Sequence, residues 1–342
     1  MMMPRKGQRG FSLIELMVAM TIGLIVLAGV GYLYVQSRQS FSSMDNVSRM
    51  QETARYALEI MSHDIRMAGY RGCASSTGKF INTVNSTDAA YNFGVPVNGY
   101  DAASGGGWSP ALPSGVGGLS GIKPGTDAII LRSAFGGGTT VTAQPGVSGL
   151  NDSSDLKVST PNELAVNDIA IVTNCNAATV FQITGPTGCC ATSNVVHNTG
   201  VGTPGNSTKA LGENYAQNGG EIVKMESRAY FIRTGASKRP ALWQQAGANA
   251  AQEIADGVEN MQIQYGVDTD GDGVVDSYTP AGVGINWNQV VAVRISLLVV
   301  SPDDQIATSS QTYTYDGASV TAGDKKLRQV FTTTVSVRNR TQ

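Results

Sequence analysis

Histidine is scarce in this 342-residue chain, with His63 and His197 as its two copies. That leaves few candidates for a Ser-His-Asp or Cys-His arrangement. A GxSxG elbow, a P-loop and a GxGxxG turn opening a helix after a strand are also missing. The sequence therefore offers no catalytic constellation and is read as a non-enzyme. Charge is sparse as well, at 15 % of residues with a net of −2 and a pI near 5.7. Without a basic stripe, nucleic acid is excluded as the main partner. No CxxC occurs among Cys73, Cys175, Cys189 and Cys190, and with two histidines a zinc site has too few ligands. Glycine is plentiful at 41 residues, but it follows no collagen-like period and clusters in loops.

What is present begins near the N-terminus. From Phe11 to Val35 the chain is apolar, free of proline, and carries Glu15 as its one formal charge. This run exceeds the roughly 20 residues needed to cross a bilayer as a helix. Arg5, Lys6 and Arg9 precede it, a positive cluster that keeps the N-terminus cytoplasmic and sends the rest across the membrane. An ordinary secretory signal would end at a small-residue cleavage site, whereas here the apolar run continues past Ala28 and Gly29. Glu15 is the awkward residue. A carboxylate in the bilayer costs on the order of 2.5 to 3.5 kcal/mol and calls for a partner, unless it snorkels or is protonated.

The segment Arg9-Gly10-Phe11-Ser12-Leu13-Ile14-Glu15-Leu16 resembles the type IV prepilin processing motif. The resemblance implies that a prepilin peptidase cuts after Gly10 and methylates the new amine of Phe11. It also implies that the helix first anchors the protein in the inner membrane and then enters a filament core. There Glu15 would meet the N-terminal ammonium of a neighbouring subunit.

Beyond Val35 the sequence turns polar without breaking. Val47, Met50, Ala54, Ala57, Met61, Ile65 and Ala68 recur every three or four residues, a helical stripe. The pattern predicts one helix from Phe11 to Met67, a rod of roughly 85 Å, stopped by Gly69 and Gly72. Asp64 and Arg66 read as solvated or locally paired helix charges. The helix end, Asp64-Ile65-Arg66-Met67-Ala68-Gly69-Tyr70 with Gly72-Cys73, resembles PilW-type minor pilins. Val258 to Gly266, the strand ending at Arg294 and the stretch from Phe331 to Arg340 resemble them too.

Residues 74 to 125 read as long surface loops. Strands are predicted at 127–132, 169–173, 179–184, 221–233, 261–266, 290–300 and 329–337, several of them alternating. A long helix followed by antiparallel strands is an α+β plan, which is also the pilin fold that the resemblance implies. The organisation expected is a leader at 1–10, a membrane or filament-core helix at 11–35, its amphipathic continuation at 36–72 and a periplasmic head at 73–342. Trp108, Trp243 and Trp287 are expected in the core.

Two further features bear on function. Asp268, Asp270, Asp272 and Asp276, with the carbonyl of Val274, occupy calcium-loop positions around Gly273. Position 12 is Thr279 rather than Glu and no helices flank it, so this is the shorter DxDxDG type of loop. The expectation is a structural calcium ion; the plain alternative is a solvated acidic turn. The four cysteines suit an oxidising periplasm, with Cys73 and Cys175 each expected to bond one of the vicinal pair Cys189 and Cys190.

Taken together these features point to a minor pilin acting in pilus assembly. The implied partners are other minor pilins, the major pilin, a tip adhesin and the prepilin peptidase, in support of adhesion and twitching motility. Two other readings share the anchor: a large minor pseudopilin of a type II secretion system, and a membrane-tethered calcium-binding adhesin.

Overall fold

A computed structural model of the chain describes residues 10–74, 78–103, 106–115, 117–146, 153–186, 193–217, 219–282 and 284–340. The helix α1 runs from Leu13 to Met67. It starts two residues later than the apolar run because Ser12 is its N-cap: Ser12 Oγ accepts from the Glu15 N–H at 3.2 Å, and the Glu15 carboxylate accepts from the Ser12 N–H at 3.0 Å. This reciprocal capping box satisfies two of the orphan donors of the first turn. Among the described residues α1 is the one helix long and apolar enough to cross a membrane.

The two halves of α1 face different surroundings. From Phe11 to Met44 its large apolar side chains are exposed. From Asn46 onward one face is buried: Asn46, Met50, Ala54, Ala57, Met61, Ser62, Asp64 and Ile65. Ala54 and Ala57 are too small to hold the sheet away, so the helix approaches it closely. Met50, Met61 and Ile65 each contribute roughly 1.5 to 3 kcal/mol by leaving water.

Two polar clamps bracket this stripe. At its upper end Asn46 Nδ2 donates to the Asp303 carboxylate at 3.0 Å, and its Oδ1 accepts from the Asp303 N–H at 3.2 Å. At its lower end the buried Asp64 carboxylate accepts from Tyr230 Oη at 2.6 Å and Arg228 Nη1 at 2.9 Å, with Gln244 donating to Tyr230 Oη at 2.6 Å. Asp64 is thus buried rather than solvated, and although the neighbouring His63 Nδ1 lies 3.2 Å from its Oδ1, its other partners come from a strand more than 160 residues away, which the sequence expectation did not include. Arg66 is exposed.

The helix ends where Gly69 and Gly72 adopt positive φ, +77° and +70°, backbone that side-chain-bearing residues avoid. The Gly69 N–H passes to the Arg132 carbonyl at 2.8 Å, and Asn339 Nδ2 donates to the Ala68 carbonyl at 3.2 Å.

The head holds two sheets and a ribbon. The first sheet contains β1 (Lys79–Asn82), β2 (Val97–Ala102), β3 (Trp108–Ser109), β4 (Ala128–Ala143), β5 (Asp155–Val158), β6 (Ile169–Thr173), β7 (Ala177–Gln182), β8 (Asn194–Val196), β9 (Glu221–Thr234), β10 (Pro240–Ala246) and β11 (Gln252–Asp256). Its main path is β1-β7-β6-β9-β4-β2-β3. The second sheet, ordered β13-β12-β14-β17, is built of β12 (Val258–Val267), β13 (Ser277–Thr279), β14 (Val290–Val300) and β17 (Arg328–Ser336). Between its last two strands the chain makes a ribbon of β15 (Thr312–Tyr315) and β16 (Ala318–Thr321).

This is the α+β plan the pattern predicts, with more strands than it named: β5, β8, β10, β11, β13, β15 and β16 lie where no strand was expected. β1 runs parallel to β7, from Lys79↔Ala177 to Asn82↔Val180, so the sheet is mixed. The segment read as loops also carries β1, β2 and β3. β1 and β3 are too short to show a period, and β2 carries Asn98, Gly99 and Asp101 in place of an apolar alternation.

The core between α1 and the second sheet takes Val293, Ile295, Leu297 and Val299 from β14 and Met261, Ile263 and Tyr265 from β12. Trp287 packs edge-on to Tyr265 at 5.0 Å, while Trp108 and Trp243 pack on another apolar cluster of the first sheet; all three serve the core as expected. Asp127 joins the sheets, accepting from the Ala102 N–H at 2.9 Å and the Ile263 N–H at 2.8 Å. Burial pushes its carboxyl up to about 7. The buried Arg132 donates to the Ala89 and Val95 carbonyls and to Asn98 Oδ1, holding the chain before β2 against β4.

Two predictions follow from the packing. Replacing Asp64 with Ala leaves Arg228 and Tyr230 without their shared acceptor, so chemical denaturation of the detergent-solubilised protein should show a loss of about 2 to 4 kcal/mol. A wild-type unfolding midpoint in the variant would contradict the clamp. His197 is buried against Phe181, and burial lowers its pKa from 6.5 to about 4. The unfolded chain takes up a proton below pH 6.5 that the folded chain refuses until about 4. Stability is therefore full above 6.5 and falls as pH drops through that window, by up to about 1.4 kcal/mol per pH unit. Melting curves between pH 7 and 4 should show a shallower decline for His197→Phe than for the wild type.

Candidate assembly element and acidic loop

Gly10 and Phe11 sit at the exposed start of the helix, with Phe11 88 % accessible; residues 1–9 of the expected leader lie outside the described residues. Glu15 is one turn further on. One of its oxygens accepts the Ser12 N–H, while among the described residues Oε1 accepts no hydrogen bond. The carboxylate thus keeps an acceptor available for a positive group brought by another molecule. The apolar side chains around it, Phe11, Leu13, Ile14 and Leu16, are all exposed, so a second apolar surface or lipid has to cover them.

The acidic loop lies between β12 and β13. Asp268 is buried at its root and accepts from the Gly271 N–H at 2.7 Å and the Gly273 N–H at 2.8 Å. Asp276 returns to the root, accepting from the Thr269 N–H at 2.7 Å and from the Thr269 hydroxyl. Those bonds hold its carboxyl below the usual carboxylate range. Carboxylate oxygens of Asp268, Asp270 and Asp276 lie within 4.8 Å of one another. Asp272 stands apart from this group and accepts from the Val274 N–H at 2.7 Å. The structure thus gathers three of the four aspartates singled out in the sequence. Arg340 lines the same depression, donating to Asn288 at 3.0 and 3.1 Å.

The cysteines differ from expectation. Cys73 and Cys175 bond each other directly, with Cα atoms 4.7 Å apart; Cys189 and Cys190 lie outside the described residues. The reason is topological: the parallel β1–β7 pairing sets Lys79 opposite Ala177 and brings the residues just before each strand to the same end. Sequence gave no sign of that pairing, because β1 itself was not visible in it.

Two family matches meet on this framework. Residues 5–31 match the prokaryotic N-terminal methylation motif, and residues 229–339 match the family described as Type IV Pilus-assembly protein W. The two matches support a type IV pilin of the PilW type. No curated protein and no solved structure matches it. The PilW match runs from the last part of β9 to the short turn at Arg338–Arg340 and so takes in the whole second sheet. The protein is anchored in the inner membrane by α1 with its head C-terminal to it. A pilin of this type is a structural subunit that is processed by prepilin peptidase and interacts with other pilus components.

Sequence reasoning missed Asn46, Asp303, Tyr230 and Gln244, the residues that fix the helix to the head. Their partners are far away along the chain, and no local pattern marks them.

Proposed function

We propose that this PilW-type pilin is a minor subunit that helps initiate a type IV pilus. It would act in a priming complex at the tip with other minor pilins, next to the major pilin below and a tip adhesin above, and so support adhesion and twitching motility. The observation that carries this reading is the exposed apolar half of α1, Phe11 to Met44, with Glu15 near its end and one carboxylate oxygen uncommitted. Cleavage after Gly10 creates an ammonium on Phe11. In a bundle of such helices, Glu15 of one subunit takes the Phe11 ammonium of a neighbour, which neutralises two charges that the apolar core would otherwise exclude.

The charge itself is what the reading needs. Glu15→Ala and Glu15→Gln should each abolish recovery of the chain in sheared pili, although Gln can still serve the capping box. Normal incorporation of the Gln variant would show that helix capping, rather than charge pairing, is the role of this residue. A pseudopilin role in secretion is the competing reading; deletion of the gene, scored for surface pili against protein secretion, separates them.

The acidic loop supports a second part of the proposal. Asp268, Asp270 and Asp276 would hold a calcium ion, with the Val274 carbonyl and Asp272 as further candidates. Three carboxylates this close repel one another, and a divalent cation relieves that repulsion while fixing the loop beside Arg340. Its role would be to stiffen the head. Adding a chelator should lower the melting temperature, and restoring calcium should reverse it. An unchanged melt, or equal recovery in Asp268→Asn, would exclude the ion from this loop.

A further inference from the structure

We infer that the outer edge of β17 receives an extended strand from the head of another pilin in the same filament. The inference rests on the assembly role proposed above.

In an antiparallel pair, successive residues alternate between turning their backbone groups toward the partner strand and away from it. Arg328 turns away from β14: its N–H goes to Gln311 Oε1 at 2.7 Å, and its carbonyl accepts from Gln311 Nε2 at 2.8 Å. Its partner Val300 likewise sends its N–H to Gly257 on the far side, at 2.9 Å. From Val300↔Arg328 to Ala292↔Ser336 the register runs without a shift. Val330, Thr332, Thr334 and Ser336 therefore also direct N–H and C=O outward, and among the described residues no strand pairs with them. Thr332, Thr334 and Ser336 are exposed.

Natural sheet edges are guarded by charge, proline, a bulge or brevity. From Gln329 to Ser336 the strand Gln-Val-Phe-Thr-Thr-Thr-Val-Ser has no charge and no proline, and its register shows no bulge. The opposite edge of the same sheet is the short β13, Ser277–Thr279. An open ladder of this kind is complemented by another extended backbone.

The flanking side chains set the occupant's pattern. On the outer face Ser296 and Thr332 bond each other at 2.9 Å, beside Arg294, Gln264 and Thr334. On the inner face Phe331 is half-buried next to the core under α1. A strand alternating polar and apolar residues continues both faces. Position selects another pilin: β17 packs against α1, and the exposed apolar half of α1 gathers neighbouring subunits, so a neighbour's head is delivered to this edge.

The test uses the full-length chain co-expressed with the other minor pilins and the major pilin and extracted in detergent. Thr332→Pro and Thr334→Pro each remove an outward N–H and leave the β14 ladder whole. Each should cut co-purification of another pilin about tenfold, as for one lost net hydrogen bond, with an unchanged melting temperature. Thr332→Val, which alters the side chain alone, should co-purify as the wild type does. Wild-type recovery with both proline variants would overturn the inference. A photo-crosslinking residue in place of Thr334 gives a readout independent of proline. Crosslinks to another pilin's head support the proposal, and crosslinks confined to a second copy of this chain, to lipid or to nothing refute it. Glu15→Gln, run in parallel, keeps the two readings distinct: filament loss there with a closed-edge result at β17 defeats the edge alone, whereas normal filaments with Glu15→Gln defeat the assembly role itself.

Discussion

One helix has to satisfy two solvents, and the rest of the structure depends on how α1 divides them. Its first half offers lipid or other helices a surface whose polar side-chain groups before Gln36 are those of Ser12, Glu15 and Thr21 and the phenol hydroxyls of Tyr32 and Tyr34. Thr21 returns its hydroxyl to the Met17 and Val18 carbonyls, so its own polar hydrogen is not stranded in the apolar stretch. The second half would be a poor membrane element, carrying Arg49, Glu52, Arg55 and Glu59 on its open side. It gains its stability from the sheet instead. The head is therefore a cover for half a helix, and the family match to the second sheet coincides with that cover.

Much of this plan was legible in the sequence because it rests on periodicity. Continuous apolar runs at Ile169–Thr173 and Val290–Val300 gave strands with the bounds seen in the structure. The helical stripe named the buried residues Met50, Ala54, Ala57, Met61, Ile65 and Ala68. It failed at its top, where polar Asn46 is buried and Val47 is only half-buried, since a period reports hydrophobicity and not which polar group finds a partner. The parallel β1 and the Cys73–Cys175 bond escaped for the same reason: both are set by where distant segments arrive. In the acidic loop, spacing foretold the convergence of Asp268, Asp270 and Asp276. That Asp272 would stand apart depended on the backbone path through Gly271 and Gly273.

The part of the head outside the two family matches is not a separate appendage. β4 and β9 are long strands that serve both regions: their Ile129, Leu131, Tyr230 and Ile232 lie in the core under α1, whereas Ala134, Val223 and Met225 belong to the neighbouring cluster with Val180. Arg132 sits at that junction, and burial draws its guanidinium down to about 10. A buried charge held by carbonyls alone is costly unless its geometry is kept. The junction between the regions is consequently well defined rather than a hinge.

The same reasoning explains why polar groups bracket an otherwise apolar contact. A stripe of Met, Ala and Ile could slide along the sheet by a turn at small cost, because each residue would find another apolar neighbour. Asn46 and Asp64 remove that freedom, since each has its own partners and would be left buried and unpaired by a shift. Their separation corresponds to about five turns at 3.6 residues each, which puts both on the face that meets the head. The two clamps thus fix height as well as rotation. At 1.5 Å per residue, Glu15 stands roughly 46 Å above Asn46. In a filament where Glu15 is tied to a neighbour's N-terminus, that distance sets the level at which each head meets the next, so the clamps on one subunit fix the register of its contacts with others.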